Sequence, residues 1–266
     1  MTTSTFIVDA FTSTLFKGNQ AAVCLLNEAK TDEWMQAVAA EFNLSETAFL
    51  THKHNNQWNL RWFTPSCEVN LCGHATLAAA YVLARELKEP YEVFEFSTLS
   101  GILKAHSGEG VITLDFPKIT PEYLSGIYIH DSGLQALNLE VKNYYRAGED
   151  ILLELHSEND VTHYVPELEK IAALDARGLI ITAPSSNNER DFVSRFFAPV
   201  VGINEDPVTG SAHCSLAVLW SKQLGKNNLR AHQLSKRGGQ LDLRVNPNSV
   251  NLIGQCRTFL RGELVC

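Results

Sequence analysis

Short stretches of alternating apolar and polar residues, ending at glycine, proline or asparagine, make up most of the chain. This is the pattern of half-buried β-strands joined by turns. Clear examples are residues 5–8, 58–63, 110–116 and 179–183. The pattern predicts a protein built mainly of strands.

Three stretches have helical periodicity instead, residues 31–42, 74–87 and 212–224. Thr31 is placed to cap the first of them, since its hydroxyl can accept from a first-turn N–H group. The other two are apolar almost all round, which is typical of helices buried inside a shell of strands. Together the strands and buried helices predict the α+β class.

The surroundings of the two apolar helices repeat one another. In the first copy, residues 61–65 (RWFTP) are followed by a loop, by residues 72–75 (CGHA) and by the first apolar helix. In the second copy, residues 195–199 (RFFAP) are followed by a longer loop, by residues 209–212 (TGSA) and by the second apolar helix. The preceding strands match more loosely, through Thr47-Ala48 and Thr182-Ala183. An internal duplication is therefore predicted. The segment 117–123 (PKITPEY) is the predicted linker, with a boundary near residue 118.

Charge and cysteine usage restrict the function. The 266 residues include 22 Lys and Arg against 30 Asp and Glu, a net charge of −8, which argues against binding to nucleic acid or an anionic membrane. We find neither a signal-peptide pattern nor an apolar run of about 18 residues. The six cysteines are scattered without CxxC pairs, so reduced thiols and a cytoplasmic location are expected.

Each repeat places a glycine, Gly73 or Gly210, at the start of an apolar helix. The first N–H groups of a helix lack internal partners and carry the positive end of the helix dipole, so each glycine turn can hold an anion. If the halves face each other, both pockets open into one cleft that suits a small carboxylate and an enolate formed from it. This predicts carbanion chemistry without a cofactor.

Four side chains are candidates for that chemistry, each with a structural alternative. Glu46 could transfer a proton, or it could cap the preceding helix. His74 could donate to substrate, or it could be a hydrogen-bonded residue at a helix start. Asp206 could bind a substrate ammonium or hydroxyl, or serve the turn before Pro207. Ser211 could be an oxyanion donor, or an ordinary first-turn serine.

Metal and hydrolase chemistry are not expected. The cysteines and histidines lack the paired spacing of a zinc site, so no metal is predicted. Ser211 lacks the GxSxG context of a nucleophilic serine. Gly108-Glu109-Gly110 lacks a nucleotide-binding fingerprint and is interpreted as a hairpin turn.

Four strings in order, FTSTLFKGNQAAV, LSETAF, RWFTPSCEVNLCGHATLA and EDPVTGSAH, resemble the phenazine-biosynthesis isomerase family (PhzF-like). The resemblance spans nearly the whole chain and continues through FLRGEL. It implies a diaminopimelate-epimerase-like fold of two pseudo-symmetric halves, each with strands wrapped around a central helix. The expected halves are residues 1–117, with 255–266 returning to them, and residues 118–254.

The resemblance also assigns roles. It makes Glu46 the acid/base and places His74, Asp206 and Ser211 at the other site positions. The expected substrate-binding residues are Asn19, Cys72, Gly73, Thr209 and Gly210. Family members act without metal or organic cofactor and often form dimers, so a cofactor-independent isomerase and a homodimer are expected. The family often has proline where this chain has Gln20.

Three functions fit these residues. The first is an isomerase in which Glu46 moves a proton along a small carboxylate substrate. The second is an epimerase or racemase with Cys72 as one of two thiols, which the repeat disfavours because the residue matching Cys72 is Thr209. The third is a binding protein without catalysis that uses the same cleft. The sequence does not specify the substrate.

Overall fold

Strands and turns dominate the computed structural model, which describes residues 2–131 and 133–265. The chain divides into two compact units, one comprising the residues up to 115 and those from 253, the other residues 116–252. Both junctions fall two residues before those expected from the sequence. Cys266 lies outside the described residues, and the five described cysteines are free thiols.

Two helices and nine strands belong wholly or mainly to the first unit. They are β1 (Thr3–Ala10), β2 (Asn19–Leu26), α1 (Asp32–Phe42), β3 (Glu46–His54), β4 (Gln57–Phe63), β5 (Glu68–Val69), α2 (Gly73–Tyr81), β6 (Val93–Thr98), β7 (Gly101–Ser107), β8 (Ile112–Pro117) and β17 (Cys256–Leu264). A π-helical turn, Val82–Glu86, follows α2.

The second unit contains the remaining described elements. They are β9 (Glu122–Tyr123), α3 (Gly126–Asp131), β10 (Val141–Ala147), β11 (Asp150–Leu155), α4 (Glu158–His163), α5 (Leu168–Ala172), β12 (Leu179–Pro184), β13 (Phe192–Phe197), α6 (Gly210–Leu224), β14 (Asn228–Gln233), β15 (Gly239–Val245) and β16 (Ser249–Gly254). Short 3₁₀ turns occupy Leu134–Leu137 and Pro199–Val201.

The three predicted helices are confirmed, with one difference. Thr31 caps α1 by accepting from the Trp34 N–H group, and α6 ends at Leu224. The predicted helix 74–87 is α-helical only to Tyr81 and then takes the wider π turn. All of its residues from His74 to Ala80 are buried, as expected of a central helix packed by strands.

The two units repeat the same order of strand pairings. In the first, β1–β2 is antiparallel, β2–β3 parallel, β3–β4 antiparallel, β4–β6 parallel and β6–β7 antiparallel. In the second, β10–β11, β11–β12, β12–β13, β13–β14 and β14–β15 follow the same alternation. Helices connect the strands of the parallel pairs. Along the chain, α2 lies between β4 and β6, and α6 lies between β13 and β14. This agreement supports the predicted duplication.

The strand register corrects the looser part of the sequence match. Arg61 pairs with Phe49 across β3 and β4, while its equivalent Arg195 pairs with Ile181 across β12 and β13. Phe49 and Ile181 are therefore equivalent, which aligns Thr47 with Leu179 and not with Thr182. The sequence match was wrong because a Thr-Ala pair is too short to fix a register in which the strand period is two. By the same register Glu46 corresponds to Gly178.

The repeated arginines make the same contacts in both units. Arg61 binds Glu68 through two hydrogen bonds of 2.7 Å and lies over the Phe63 ring. Arg195 binds Glu205 through bonds of 2.7 and 3.1 Å and lies over the Phe197 ring. Each pair ties a strand to the loop four residues before the cap position of the central helix. The repeated RxFxP string thus has a structural role.

β17 runs antiparallel to β1, so the last strand returns to the first unit as expected. None of the described helices has the length and apolar content needed to cross a membrane.

Candidate active site

Four predicted site residues of the first unit lie together because they begin adjacent elements. Asn19 opens β2, Glu46 opens β3, and Cys72 and His74 flank the first residue of α2. The turn into β2 requires glycine at position 18, which has φ +68° and where a Cβ atom would lie 2.1 Å from the Ala10 carbonyl oxygen. The following residue, Gln20, lies within β2 opposite Asp9.

His74 is held between two polar neighbours. Its Nε2 lies 3.1 Å from Glu46 Oε2, and its Nδ1 lies 3.2 Å from Asn19 Nδ2. An amide NH₂ group can only donate, so in the neutral ring Nδ1 accepts from Asn19 and the proton lies on Nε2, facing Glu46; Nε2 carries a proton in the charged ring as well. The side chains of His74 and Glu46 are only 6% and 12% exposed.

Glu46 Oε2 and His74 Nε2 remain short of hydrogen bonds. Their 3.1 Å contact is an ion-pair distance, but neither buried atom makes a hydrogen bond of good geometry to another described residue. Buried polar atoms are almost always paired, and exceptions are common where a ligand completes the site. The two atoms therefore keep hydrogen-bonding capacity that the described residues do not use.

The protonation states follow from these neighbours. Burial alone would lower the pKa of His74, but the neighbouring Glu46 carboxylate favours the charged ring and raises that pKa above its ordinary value. Burial, followed by the charge of Glu46, raises the pKa of the Cys72 thiol. Cys72 is therefore a protonated thiol near neutral pH, a poor base and a poor metal ligand.

The start of α2 offers backbone donors. Cys72 occupies the cap position in an extended conformation, and its side chain makes no capping hydrogen bond. The first-turn N–H groups lie next to the Cys72 sulfur, and that of Ala75 interacts weakly with it, which leaves most of their donor capacity unused. Thr209 occupies the same position before α6, also without a side-chain cap.

The grouping of Glu46, Cys72 and His74 places three metal-ligating atoms within 4.8 Å of one another. Residue spacing did not reveal this cluster, because Glu46 begins β3 whereas Cys72 and His74 flank the start of α2. Within it, Cys72 Sγ lies 3.5 Å from Nδ1 of His74, whereas Glu46 faces Nε2. The expectation of no metal stays a prediction.

In the second unit Asp206, Thr209 and Gln233 form one buried network. The Thr209 hydroxyl donates to Asp206 Oδ2 at 2.5 Å. Gln233 accepts from the Thr209 N–H group at 2.8 Å and donates to the Asp206 carbonyl at 2.7 Å. Gln233, which the sequence analysis did not identify, thus fixes the loop that carries Asp206 to the start of α6.

Ser211 and Gly210 begin α6, and two further residues not foreseen from the sequence lie beside them. Arg177 donates from Nη2 to Ser211 Oγ at 3.1 Å and binds Asp150 through Nε and Nη2. Asp150 is 3% exposed. An acidic residue immediately before a run of apolar strand residues was the signal that identified Glu46, and Asp150 carries the same signal. The predicted joint site of the two units stays a prediction.

The family follows from comparison with known proteins. Residues 8–262 match the family described as phenazine biosynthesis-like protein. The chain belongs to this family. A Halalkalibacterium halodurans protein named as an uncharacterized isomerase is 46% identical over 266 residues, covering 100% of this chain and 99% of that one. Two Pseudomonas aeruginosa proteins, also named as uncharacterized isomerases, are 44% and 42% identical and are matched over 97% of this chain and 96% and 97% of theirs.

Solved structures agree. The crystal structure of a PhzF-family phenazine biosynthesis protein from Enterococcus faecalis is 40% identical, covers 100% of both chains and has a TM-score of 0.92. A probable proline racemase from Agrobacterium radiobacter shares the fold with a TM-score of 0.65 at 10% identity, over 99% of this chain and 93% of that one. This PhzF-family chain therefore has the predicted diaminopimelate-epimerase-like fold, and relatives that match its whole length are named isomerases.

Proposed function

We propose that the protein is a cofactor-independent isomerase that moves a proton between two carbons of a small carboxylate-bearing substrate, with Glu46 as the acid/base. One observation carries the proposal. The Glu46 carboxylate and the His74 ring meet at 3.1 Å in a buried position, beside a helix start that has no side-chain cap. Proton transfer and anion binding are thus supported by adjacent groups.

The proposed reaction uses the groups as they stand. The Glu46 carboxylate takes a proton from a substrate carbon, and the electron pair left on that carbon moves into the conjugated carboxylate as an enolate. The first N–H groups of α2 stabilise the developing negative charge. Glu46, now a carboxylic acid, returns the proton to a second carbon of the conjugated system. The substrate is isomerised and Glu46 recovers its charge.

His74 has a donor role in this proposal. Asn19 occupies Nδ1, so Nε2–H points toward Glu46 and toward any group bound next to it. From there it can donate to a substrate oxygen during proton transfer. Asp206, Thr209, Gly210 and Ser211 are retained as predicted substrate contacts.

Stereoinversion by two thiols is the alternative. It needs a second acid/base opposite Cys72, and the equivalent position is Thr209, whose hydroxyl already donates to Asp206. Cys214 lies further along α6, and burial raises the pKa of its thiol to about 12. These features favour proton transfer by one carboxylate.

The test is deuterium exchange. The protein is incubated in D₂O with a panel of small unsaturated and α-amino carboxylic acids, and mass spectrometry with chiral chromatography follows label uptake, isomerisation and inversion. Glu46→Gln keeps the side-chain shape and removes the carboxylate that takes and returns the proton, so exchange should fall about 10²–10⁴-fold.

The matched control is Glu41→Gln, the same change at an exposed site on α1. It should exchange substrate at the parent rate. Full exchange by Glu46→Gln would exclude Glu46 from the mechanism, and optical inversion without isomerisation would favour the epimerase.

A further inference from the structure

We infer that Arg177, fixed by Asp150, is a positioning residue that turns the Ser211 hydroxyl into a hydrogen-bond donor for the anionic substrate. The inference rests on the proposed function, in which Ser211 contacts substrate. Neither Arg177 nor Asp150 belongs to a motif that the sequence analysis identified. The geometry around Ser211 supplies the argument.

Arg177 is held on several sides. Its Nε donates to Asp150 Oδ1 at 2.9 Å and its Nη2 donates to Asp150 Oδ2 at 2.5 Å. Its guanidinium lies 5.5 Å from the centre of the Phe196 ring. A bidentate pair with a stacked face leaves the guanidinium little freedom to rotate. Its Nη2 is thereby fixed at 3.1 Å from Ser211 Oγ.

This contact determines which way the serine proton can point. A hydroxyl has one proton to donate and two lone pairs that accept. Arg177 can only donate, so it occupies a lone pair of Ser211 Oγ and directs the hydroxyl proton elsewhere. Ser211 Oγ donates to no other residue in the described part of the chain. Ser211 is half-buried, so its proton is available to a ligand.

The internal repeat gives independent support. Ser211 is the second residue of α6, and its equivalent in the first unit is His74, the second residue of α2. His74 lies 3.1 Å from Glu46, whose equivalent by strand register is Gly178, the neighbour of Arg177. In both units, therefore, a charged side chain from the start of the corresponding strand, or from just before it, lies against the second helix residue.

Asp150 balances the charge of this arrangement. It is almost fully buried, and an unpaired buried carboxylate would be costly. Asp150 pairs with the Arg177 charge, and the Glu149 and Asp206 carboxylates also act on it, so Ser211 donates to a ligand as a neutral hydroxyl at the start of α6. A neutral donor of this kind favours the negative charge that develops on a substrate oxygen in the transition state. It does not bind the ground-state substrate so tightly that the gain in the transition state is lost.

The experiment is a double-mutant cycle on the exchange reaction, with Arg177→Lys, Ser211→Ala and both together. Lysine keeps the charge opposite Asp150 but lacks the planar fork that reaches Asp150 and Ser211 at once. Ser211→Ala should lower kcat about 100-fold, as loss of one oxyanion donor does. In the parent protein, Arg177→Lys should lower kcat about 10-fold and change KM by less than about threefold. When Ser211 is already alanine, the same change should lower kcat by less than about twofold.

A rescue experiment separates positioning from folding. Arg177→Ala leaves space for free guanidinium, and millimolar guanidinium should restore part of its kcat while leaving the Ser211→Ala variant unchanged. Arg146→Lys is the matched control, since Arg146 also donates to a hydroxyl, that of Tyr128, and lies over an aromatic ring. It should keep the parent kcat.

Each outcome decides the inference. Equal losses from Arg177→Lys in the parent and Ser211→Ala backgrounds would overturn it, as would a loss confined to KM. Failure of the proposed function looks different, because Glu46→Gln would then keep full exchange whatever the Arg177 variants do. Coupled losses together with guanidinium rescue would establish Arg177 as the positioning residue.

Discussion

Removing the buried histidine of α6 should make the protein less sensitive to acid. His213 is completely buried, and its Nδ1–H donates to the Thr209 carbonyl at 2.7 Å. Its Nε2 has no hydrogen-bond partner among the described residues, and its ring stacks on Phe192. A second proton would sit on Nε2 in an apolar site without an acceptor. Burial accordingly lowers the pKa of His213 from 6.5 to about 4.

The sign and size follow from proton linkage. The folded-state pKa lies below that of the unfolded chain, so between pH 6.5 and 4 the unfolded chain binds more protons and the free energy of unfolding falls as the pH falls. One pH unit between the two pKa values corresponds to 1.36 kcal/mol, which gives a loss of about 3 kcal/mol over this window. The loss is complete only below the folded-state pKa.

The variant is His213→Asn, whose Nδ2 can replace Nδ1 as the donor to the Thr209 carbonyl. Urea unfolding followed by circular dichroism at several pH values between 7.5 and 4.5 gives the free energy for each protein. At pH 7.5 the variant should be less stable by about 1 kcal/mol, because a smaller side chain leaves a void. At pH 4.5 the parent should have lost roughly 2–3 kcal/mol that the variant keeps, so the variant should then be the more stable protein by about 1–2 kcal/mol.

The exposed His54 provides the matched control. The His54→Asn curve should run parallel to that of the parent. Protonation of paired carboxylates such as Glu154 also lowers the free energy of unfolding in acid. These carboxylates are common to all three proteins, so their contribution cancels in the comparison. A constant difference between parent and His213→Asn across the whole range would refute the reasoning.

Three further predictions concern the site and its supports. Cys72→Ser should keep exchange within about tenfold of the parent, or 1.4 kcal/mol in the barrier, and complete loss would favour a thiol mechanism. Glu205→Gln should lower the free energy of unfolding by about 2 kcal/mol in urea titrations, because it weakens the pair with buried Arg195. The control is Glu28→Gln in the exposed pair with Lys30, which should change that free energy by less than about 0.5 kcal/mol. Dialysis against a chelator should leave fold and exchange activity unchanged, and stoichiometric zinc lost together with activity would contradict this.

Hydrophobic pattern predicted the central helices well because their packing leaves a strong signal. Every residue from His74 to Ala80 is buried, so the run is apolar on all sides. The pattern did not predict the change at Val82, where the Leu87 N–H group bonds five residues back to the Val82 carbonyl. An apolar run indicates that a helix is buried. It does not indicate whether the backbone hydrogen bonds span four residues, as in an α-helix, or five, as in a π-helix.

The supports of the site were less accessible to sequence analysis. Arg177 reaches Ser211 across 34 positions and Asp150 across 27, and neither residue lies in a repeated string. Only the fold brings together the start of β11, the residues just before β12 and the start of α6. Gln233 was hidden for the same reason, since it comes from β14 to hold the loop of Asp206. Motifs identified the residues at the helix starts, whereas tertiary structure identifies what holds them.

The duplication explains why proton transfer is proposed for one unit only. The two units keep the same strand pairings, the same arginine pair and the same glycine at the helix start, so their frames are equivalent. Three equivalent pairs differ in chemistry: Glu46 and Gly178, Cys72 and Thr209, and His74 and Ser211. At these positions the first unit thus has a buried carboxylate, a thiol and an imidazole, while the second has a glycine and two hydroxyls. A two-base mechanism would need an acid/base at the helix start of each unit, and the second has none at these positions, which favours one carboxylate that both removes and returns the proton.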